Sequence, residues 1–486
     1  MTSKGYIVFR VDGDANLGLG HVMRCLTLAK VFNQAGFEIL FICSQASVAA
    51  NSYVVDCNFQ VEYISQGDEE DDAKQCLGIL QDKNVYLLVV DHYQLGSHWE
   101  RLLGESATKL MVIDDLADRN HCCHLLLDSS YGRIKKEYTQ FTNPECKLLL
   151  ASDYCLLRDE FRRLSGQAKQ KRKNTKKINN ILINFGATDH KCLTVKCIDI
   201  IQKLQFKGEI NILISSTCRW IDQLEKLSGI FPNLTLHIDS KSVADLMLNA
   251  DLAIGSVGTS SWERCCLGLP TIGIVVANNQ KNIASQLARL SVMELTTIDD
   301  LNKSLLDYVI SFDIKKWQDM SSAAFMVCDG LGAQRVKNTV LDSHPEIFLQ
   351  TMEQQDSAIL FSWQCEPGNR KYSGIALAPN IDEHRAWYAS SLGEPSRRMW
   401  LVIFNGEKCG YVRLDVQDNS EEVSVLISQQ YRKLGLAHSA ISELKKLCLF
   451  GVLDAQVSTD NRASISLFKS LGFKQIENSR FQWNTP

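Results

Sequence analysis

Three short stretches combine residue types and spacings that could do chemistry. The first is Asp12-Gly13-Asp14-Ala15-Asn16-Leu17-Gly18-Leu19-Gly20-His21. A glycine-rich turn lets a ligand approach the backbone closely. A histidine opening the next helix faces the positive end of the helix dipole, which disfavours imidazolium and suits a neutral base. The same histidine could instead cap or pack the helix, and the segment alone leaves both readings open. The stretch lacks Gly-x-Gly-x-x-Gly, because Met23 stands three residues after Gly20, and it lacks the Lys-Ser/Thr of a phosphate loop. A dinucleotide or ATP site is therefore not expected.

The second stretch is Gly255-Ser256-Val257-Gly258-Thr259-Ser260-Ser261-Trp262-Glu263. Small and hydroxyl residues at a helix start present free N–H groups to a phosphate. Glu263, one turn further on, can accept hydrogen bonds from a ribose diol. Asn279-Gln280 and the turn Gly186-Ala187-Thr188-Asp189 offer further polar groups after neighbouring strands. Each segment singly also reads as a capped helix. Together, at equivalent edges of two facing lobes, they point to a nucleotide-sugar cleft. The third stretch follows a strand ending at Ile427 and runs Arg432-x-x-Gly435-x-Ala437, with Asn461-x-x-Ser464 downstream. Consecutive N–H groups there form an anion nest suited to a pyrophosphate, although the pattern is short and common.

The scaffold that must hold these groups is legible as short apolar strands alternating with helices. Tyr6–Arg10, Ile39–Cys43, Val85–Val90, Leu110–Ile113 and His124–Leu127 read as buried strands, with a helix over 21–35. Ile181–Phe185, Ile210–Ile214, Leu234–His237, Leu252–Ile254 and Thr271–Val275 form a second such series. Continuous apolar runs between helices predict parallel sheets covered on both faces. The expected fold class is thus α/β, with doubly wound lobes over 1–165 and 178–345. Between them Lys169–Lys177 carries six basic residues in nine and, without interleaved aromatics, reads as a solvated linker. A third, α+β unit is expected over 356–486, with 340–355 as its boundary. Its strands are Trp400–Phe404, Lys408–Leu414, Glu422–Ile427 and Asp454–Val457, and its helices Ala437–Leu449 and Arg462–Ser470.

Composition narrows the classes further. The chain has 486 residues, 45% hydrophobic and 22% charged, which suits two to three globular domains. A net charge of −4, from 52 basic and 56 acidic residues, gives no pull toward nucleic acid or membrane. No apolar run reaches the roughly 18 residues a membrane span requires. The first residues carry no signal-like apolar stretch, so a cytoplasmic location is expected. The 17 cysteines sit in apolar settings and read as small buried residues of a reducing compartment. His121-Cys122-Cys123-His124 lacks zinc-ligand spacing and reads as a strand edge, so no metal is expected.

Residues 5–340 resemble the UDP-2,4-diacetamido-2,4,6-trideoxy-β-L-altropyranose hydrolases of pseudaminic acid biosynthesis, relatives of two-lobed GT-B glycosyltransferases. The likeness rests on Arg10-Val11-Asp12, Gly18–Arg24, Val90-Asp91-His92-Tyr93, Ile113–Arg119, Tyr154–Arg158, Gly258–Pro270 and Cys328–Arg335. It implies His21 as the base for water attacking an anomeric carbon. It implies Gly258, Thr259, Ser260 and Ser261 at the diphosphate, Glu263 at the ribose, and Asn279 with Gln280 at the sugar. Asp12, Gly20, Arg24, Asp91, His92 and Tyr93 would line the other side of the cleft, with Gly186 and Asp189 in a further loop. That loop reads Gly-Gly-x-Asp in the family and has Ala187 here.

Residues 356–480 resemble GNAT acetyltransferases through the Arg432–Ala437 nest and the ending Leu467-Phe468-Lys469-Ser470-Leu471-Gly472-Phe473. The likeness implies acetyl-CoA as co-substrate, contacting Ile427, Arg432, Gly435, Ala437, Asn461 and Ser464. Trp363, Arg370 and Glu383-His384-x-x-Trp387 look like the sugar-nucleotide amine acetyltransferases, with Glu383 and His384 as candidate bases. Phe468 stands where many relatives carry a proton-donating Tyr. The resemblances together imply a bifunctional enzyme that acetylates a UDP-amino sugar and hydrolyses UDP from the product. The alternative is a GT-B glycosyltransferase whose GNAT domain is a binding or degenerate module.

Overall fold

The computed structural model describes residues 4–13, 20–47, 53–186, 189–277, 280–309, 313–372 and 380–485. The expected sugar contact Asn279 and the glycine Gly18 lie outside the described residues. The chain divides into two compact units, Met1–Lys337 and Asn338–Pro486.

The first unit holds two parallel sheets. Strands β1 (Tyr6–Val11), β2 (Glu38–Ser44), β3 (Gln60–Ile64), β4 (Val85–Asp91), β5 (Lys109–Ile113), β6 (Leu125–Asp128) and β7 (Lys147–Leu150) pair in the order β3-β2-β1-β4-β5-β6-β7. Strands β8 (Asn180–Asn184), β9 (Glu209–Ile214), β10 (Leu234–Ile238), β11 (Leu252–Ser256), β12 (Thr271–Ile274) and β13 (Met293–Thr296) follow as β10-β9-β8-β11-β12-β13. All recorded pairings in both sheets are parallel. This is the expected pair of doubly wound, Rossmann-type lobes. In each, the strand order reverses beside the first strand, between β1 and β4 and between β8 and β11. Open sheets of this kind form their ligand crevice at the carboxyl ends of the strands flanking such a switch point.

The central strands form because they can be buried on both faces. Ile7, Val8, Phe9, Leu87, Leu88 and Val89 are essentially inaccessible, as are Ile181, Ile183, Ile210, Ile212, Ile254 and Ile272 in the second lobe. Each such side chain contributes about 1.5–3 kcal/mol on leaving water. The sequence reading omitted the edge strands β3, β7 and β13, whose exposed or short patterns carry little apolar signal. The helix Gly20–Gln34 lays Val22, Cys25, Leu26, Ala29 and Phe32 on its buried face, at helical spacing.

Two expectations are corrected here. The basic run is not a solvated linker: helix Asp159–Asn174 continues through it. Arg172 is 3% exposed and donates to the carbonyls of Leu267, Ala250 and Met247 at 3.2, 2.5 and 2.9 Å. Lys171 reaches Asp251 at 3.1 Å. The run therefore fastens a helix to the second lobe through its buried face, while Lys169, Lys173, Lys176 and Lys177 remain exposed. The His121–His124 run also is not part of a strand; it forms the loop leading into β6. His121 Nδ1 meets Glu100 Oε1 at 2.7 Å, and Leu110 N donates to His124 Nδ1 at 3.0 Å.

The second unit is one sheet with helices. Strands β14 (Phe348–Thr351), β15 (Arg397–Phe404), β16 (Glu407–Val416), β17 (Glu421–Ile427), β18 (Val452–Gln456), β19 (Lys474–Gln475) and β20 (Arg480–Asn484) pair in the order β14-β15-β16-β17-β18-β20-β19. Strand β14 lies inside the stretch read as a boundary, yet it pairs antiparallel with β15. β15, β16 and β17 are antiparallel as expected. β17 and β18 run parallel and pair only at Glu421↔Leu453 and Glu422↔Asp454. Beyond those two positions the strands part, opening a wedge in the sheet. Among the described residues no helix is long and apolar enough to cross a membrane.

Candidate active sites

The residues expected at the first site converge at the carboxyl edge of the first sheet. His21 sits in the first turn of its helix, 9% exposed, and Asp91 ends β4, 1% exposed. His21 Nδ1 lies 2.6 Å from Asp91 Oδ1. Arg24, one helical turn after His21, donates from Nε and Nη2 to the two oxygens of Asp91, each at 2.6 Å. Burial would raise the Asp91 pKa, but the charges of Arg24 and His21 outweigh it and hold the carboxyl well below its usual range. An ionised Asp91 accepts a proton-bearing Nδ1, which leaves Nε2 as the basic ring atom. Tyr93 packs edge-on to His21 at 4.9 Å between ring centroids.

Other expected residues are engaged within the lobe. Asp12 accepts from Ser44 N at 2.7 Å, from Arg10 at 2.9 Å and from His92 Nε2 at 3.2 Å. His92 Nδ1 accepts from Gln94 N at 3.1 Å, so both ring nitrogens are occupied. The pair braces the crevice wall. Burial opposes ionisation of Asp12, but its bonds to His92 and Arg10 prevail and its pKa falls far below the usual value. Asp115 was not singled out from sequence; its Oδ2 lies 3.4 Å from both Arg24 Nη1 and Tyr93 Oη. Its signal was positional: it follows β5 at the same sheet edge as Asp91.

The second lobe faces this cluster. A Cβ placed on Gly20 would lie 3.6 Å from Thr259 Oγ1, an ordinary van der Waals contact, so the two lobes approach closely at this point. Gly258 and Ser260 are partly exposed beside it, and Gln280 Nε2 lies 3.8 Å from where a Gly258 Cβ would be. Gln280 Oε1 accepts from Val276 N at 3.0 Å. Glu263 meets Arg158 at 3.2 Å, a partner missed from sequence. Burial raises the Glu263 pKa, and Arg158 only partly counters it. Ser261 is fully buried, its hydroxyl accepting from Arg264 at 3.1 Å. Asp189 caps the helix Leu193–Lys203, accepting from Leu193 N and Thr194 N at 2.9 Å each. Gly186, at the end of the preceding described stretch, stands at φ 91°.

In the second unit, Gly435 stands at φ 86° immediately before the helix Leu436–Leu447. That left-handed step turns the first-turn N–H groups of Leu436, Ala437 and His438, which have no partner inside the helix, toward one point. Arg432 Nε lies 3.4 Å from the Ile427 carbonyl, beside the open end of β17. Asn461 Oδ1 caps the last helix through Ser464 N at 3.1 Å. A pyrophosphate and an amide-bearing arm fit a nest beside an open strand edge. Phe468 is 4% exposed and packs on Phe473 at 5.0 Å between centroids. His384 is corrected as a candidate base: it is 2% exposed, with Nδ1 3.0 Å from Gln364 Oε1 and Nε2 2.9 Å from the Ser357 carbonyl. Burial also lowers its pKa. Trp363 belongs to a small core with Tyr388, Met399 and Leu401. Among the described residues no group of three or more His, Cys, Asp or Glu is placed to hold a metal ion.

Residues 346–474 match the acetyltransferase (GNAT) domain family, so the second unit carries a GNAT domain. The UDP-2,4-diacetamido-2,4,6-trideoxy-β-L-altropyranose hydrolase of Campylobacter jejuni is 25% identical over 284 residues, covering 58% of this chain and 96% of that protein. An uncharacterized protein of Methanocaldococcus jannaschii is 23% identical over 491 residues, 98% of each chain, so that match runs through both units. Among solved structures, Acinetobacter baumannii MurG covers 69% of this chain and 99% of its own at 14% identity, with a TM-score of 0.49. A Vibrio cholerae spermidine N-acetyltransferase, in complex with CoA and spermine, covers 29% of this chain and 95% of its own at 15% identity, with a TM-score of 0.26.

Proposed function

We propose that the chain is a bifunctional nucleotide-sugar enzyme of pseudaminic acid biosynthesis, working in the cytoplasm. The first unit hydrolyses UDP-2,4-diacetamido-2,4,6-trideoxy-β-L-altropyranose. The observation that carries this reading is the Asp91–His21 pair at 2.6 Å, beside Gly20, which faces Thr259 of the second lobe. His21 Nε2 takes a proton from water as its oxygen bonds to the anomeric carbon. The bond from that carbon to the diphosphate oxygen breaks, and UDP leaves with the electron pair. The Gly258–Ser260 turn receives the diphosphate, Glu263 the ribose, and Gln280 with Asn279 the sugar. Positioning and charge stabilisation supply most of the acceleration, because UDP is already a good leaving group.

The second unit acetylates the 4-amino group of the UDP-sugar precursor, with acetyl-CoA supplying the acetyl thioester. The Gly435–His438 nest holds the pyrophosphate and the β17 edge orients the arm. The amine nitrogen bonds to the acetyl carbon as the carbon–sulfur bond breaks; Phe468 donates no proton, so the departing thiolate takes up, through water, the proton that the nitrogen gives up. The product of this step is the substrate of the first, and the tether raises its local concentration.

The test is direct. The purified chain is incubated with UDP-2,4-diacetamido-2,4,6-trideoxy-β-L-altropyranose and free UDP and sugar are followed by NMR, beside His21→Ala. Release by the wild type and not by the variant is expected. A folded wild type that releases nothing, or that passes the sugar only to an acceptor hydroxyl, overturns the hydrolase reading.

A further inference from the structure

Arg264 is 2% exposed beneath the Gly258–Ser261 turn. Its Nη2 donates to the Ser256 carbonyl at 2.7 Å and to Ser261 Oγ at 3.1 Å. Its Nε is buried with no hydrogen-bond partner. Among the described residues no carboxylate forms an ion pair with it. The other buried arginines of this unit are compensated differently. Arg10 holds Asp12 and Asp72, Arg335 holds Asp329, and Arg172 donates to three carbonyls. Glu263, next to Arg264 in sequence, is engaged by Arg158 at 3.2 Å. Burial pulls the Arg264 pKa down to about 10, with Cys265 and Glu263 opposing, so the group remains cationic at neutral pH. A buried cation without its anion is costly, and such groups are normally paired.

We propose that Arg264 is a positioning residue whose missing counter-anion is the diphosphate of the bound nucleotide. The inference rests on the nucleotide-sugar reading above. From under the turn, the guanidinium fixes the Ser261 hydroxyl and the end of β11, and its positive charge favours an anion at Gly258–Ser260 without touching it. The guanidinium is itself buried, so its charge is screened less than that of a surface arginine. Leaving-group departure benefits as well, because the diphosphate gains negative charge as the anomeric bond breaks.

The experiment is calorimetric titration of the full chain with UDP and, separately, with uridine, which has the same base and ribose and no charge. In the wild type UDP binds more tightly. Arg264→Met is expected to weaken UDP by roughly tenfold or more while uridine stays within about twofold, as fits loss of one opposite charge in a partly shielded site. Arg264→Lys keeps the charge but not the paired contacts, and it is expected to retain most of the preference for UDP. This variant also decides the matter if Arg264→Met fails to fold. An unchanged UDP-to-uridine ratio in Arg264→Met overturns the proposal. So does a Lys variant that loses both ligands equally, which is the mark of a purely structural arginine. A wild type that binds uridine and UDP alike would strike the nucleotide-sugar reading itself, and the proposal with it.

Discussion

Replacing Asp91 by Asn keeps the side chain's size and removes its charge. Asp91 accepts three close contacts, one from His21 Nδ1 and two from Arg24, all at 2.6 Å. An asparagine offers Arg24 one oxygen in place of two; with that oxygen kept at Nε, where Oδ2 was, the NH2 takes the place of Oδ1. That NH2 then faces His21 Nδ1, which must accept, so the ring proton moves to Nε2. The nitrogen that should take a proton from water now carries one. General-base assistance contributes about 10²- to 10⁴-fold, so UDP release should slow by about that factor, or roughly 3–5 kcal/mol of barrier. Removing one partner of a buried ion pair costs about 3–5 kcal/mol of stability, and the 14% exposure of Arg24 and its contact with Asp115 reduce this to roughly 2–3. The assay is single-turnover release of UDP, read with a melting curve on the same sample. His21→Ala and the double variant complete a cycle, in which the double variant should be no slower than His21→Ala alone. A folded Asp91→Asn enzyme within about threefold of wild type, or losses that multiply, would refute the tautomer argument.

Gly20→Leu should crowd Thr259 and abolish UDP release while leaving the melting temperature of the first unit nearly unchanged. Gly435→Ala forces a side chain into a φ of 86° with His344 Nδ1 3.0 Å from its Cβ. It should cost about 1–2 kcal/mol and raise the KM for acetyl-CoA, measured by thiol release. Arg172→Met should destabilise the first unit by about 2–4 kcal/mol in urea, whereas exposed Lys173→Ala should change it by less than about 0.5. Asp12 and Asp91 are held below the usual carboxylate pKa only in the folded state, so the unfolded chain binds protons more readily and stability rises with pH. Their contribution is complete above the unfolded value of about 3.9 and is lost as pH falls below it, which urea titrations from pH 7 to 3 would show. In Asp91→Asn that acid sensitivity should be smaller.

Much of this architecture was legible because burial on two faces writes continuous apolar runs, and the central strands of both lobes are such runs. Edge strands escaped because half their surface is wet: Gln60–Ile64 is mostly exposed and Lys147–Leu150 has four residues. The basic run misled because composition averages over a helix. Its one buried basic residue, Arg172, hides among four exposed lysines and the partly buried Lys171. At the site, the types His21, Arg24, Asp91 and Glu263 were readable from motif and position. Their divisions of labour were not, since Asp12, His92 and Asp189 have equally polar side chains that the fold turns inward to brace strands and cap a helix. Partners such as Asp115 and Arg158 come from distant parts of the chain, where no local spacing announces them.

The helix Asp159–Asn174 has a practical meaning for anyone who wishes to divide the chain. Composition recommends a cut within the basic run, where a polar, lysine-rich stretch resembles a natural seam. Such a cut would leave the second lobe without the arginine that ties off the carbonyls of Met247, Ala250 and Leu267. The truncated lobe would present a bare apolar groove where Phe161 and Ala168 had been, an invitation to aggregate. A fragment beginning ahead of Asp159 would carry its own strut.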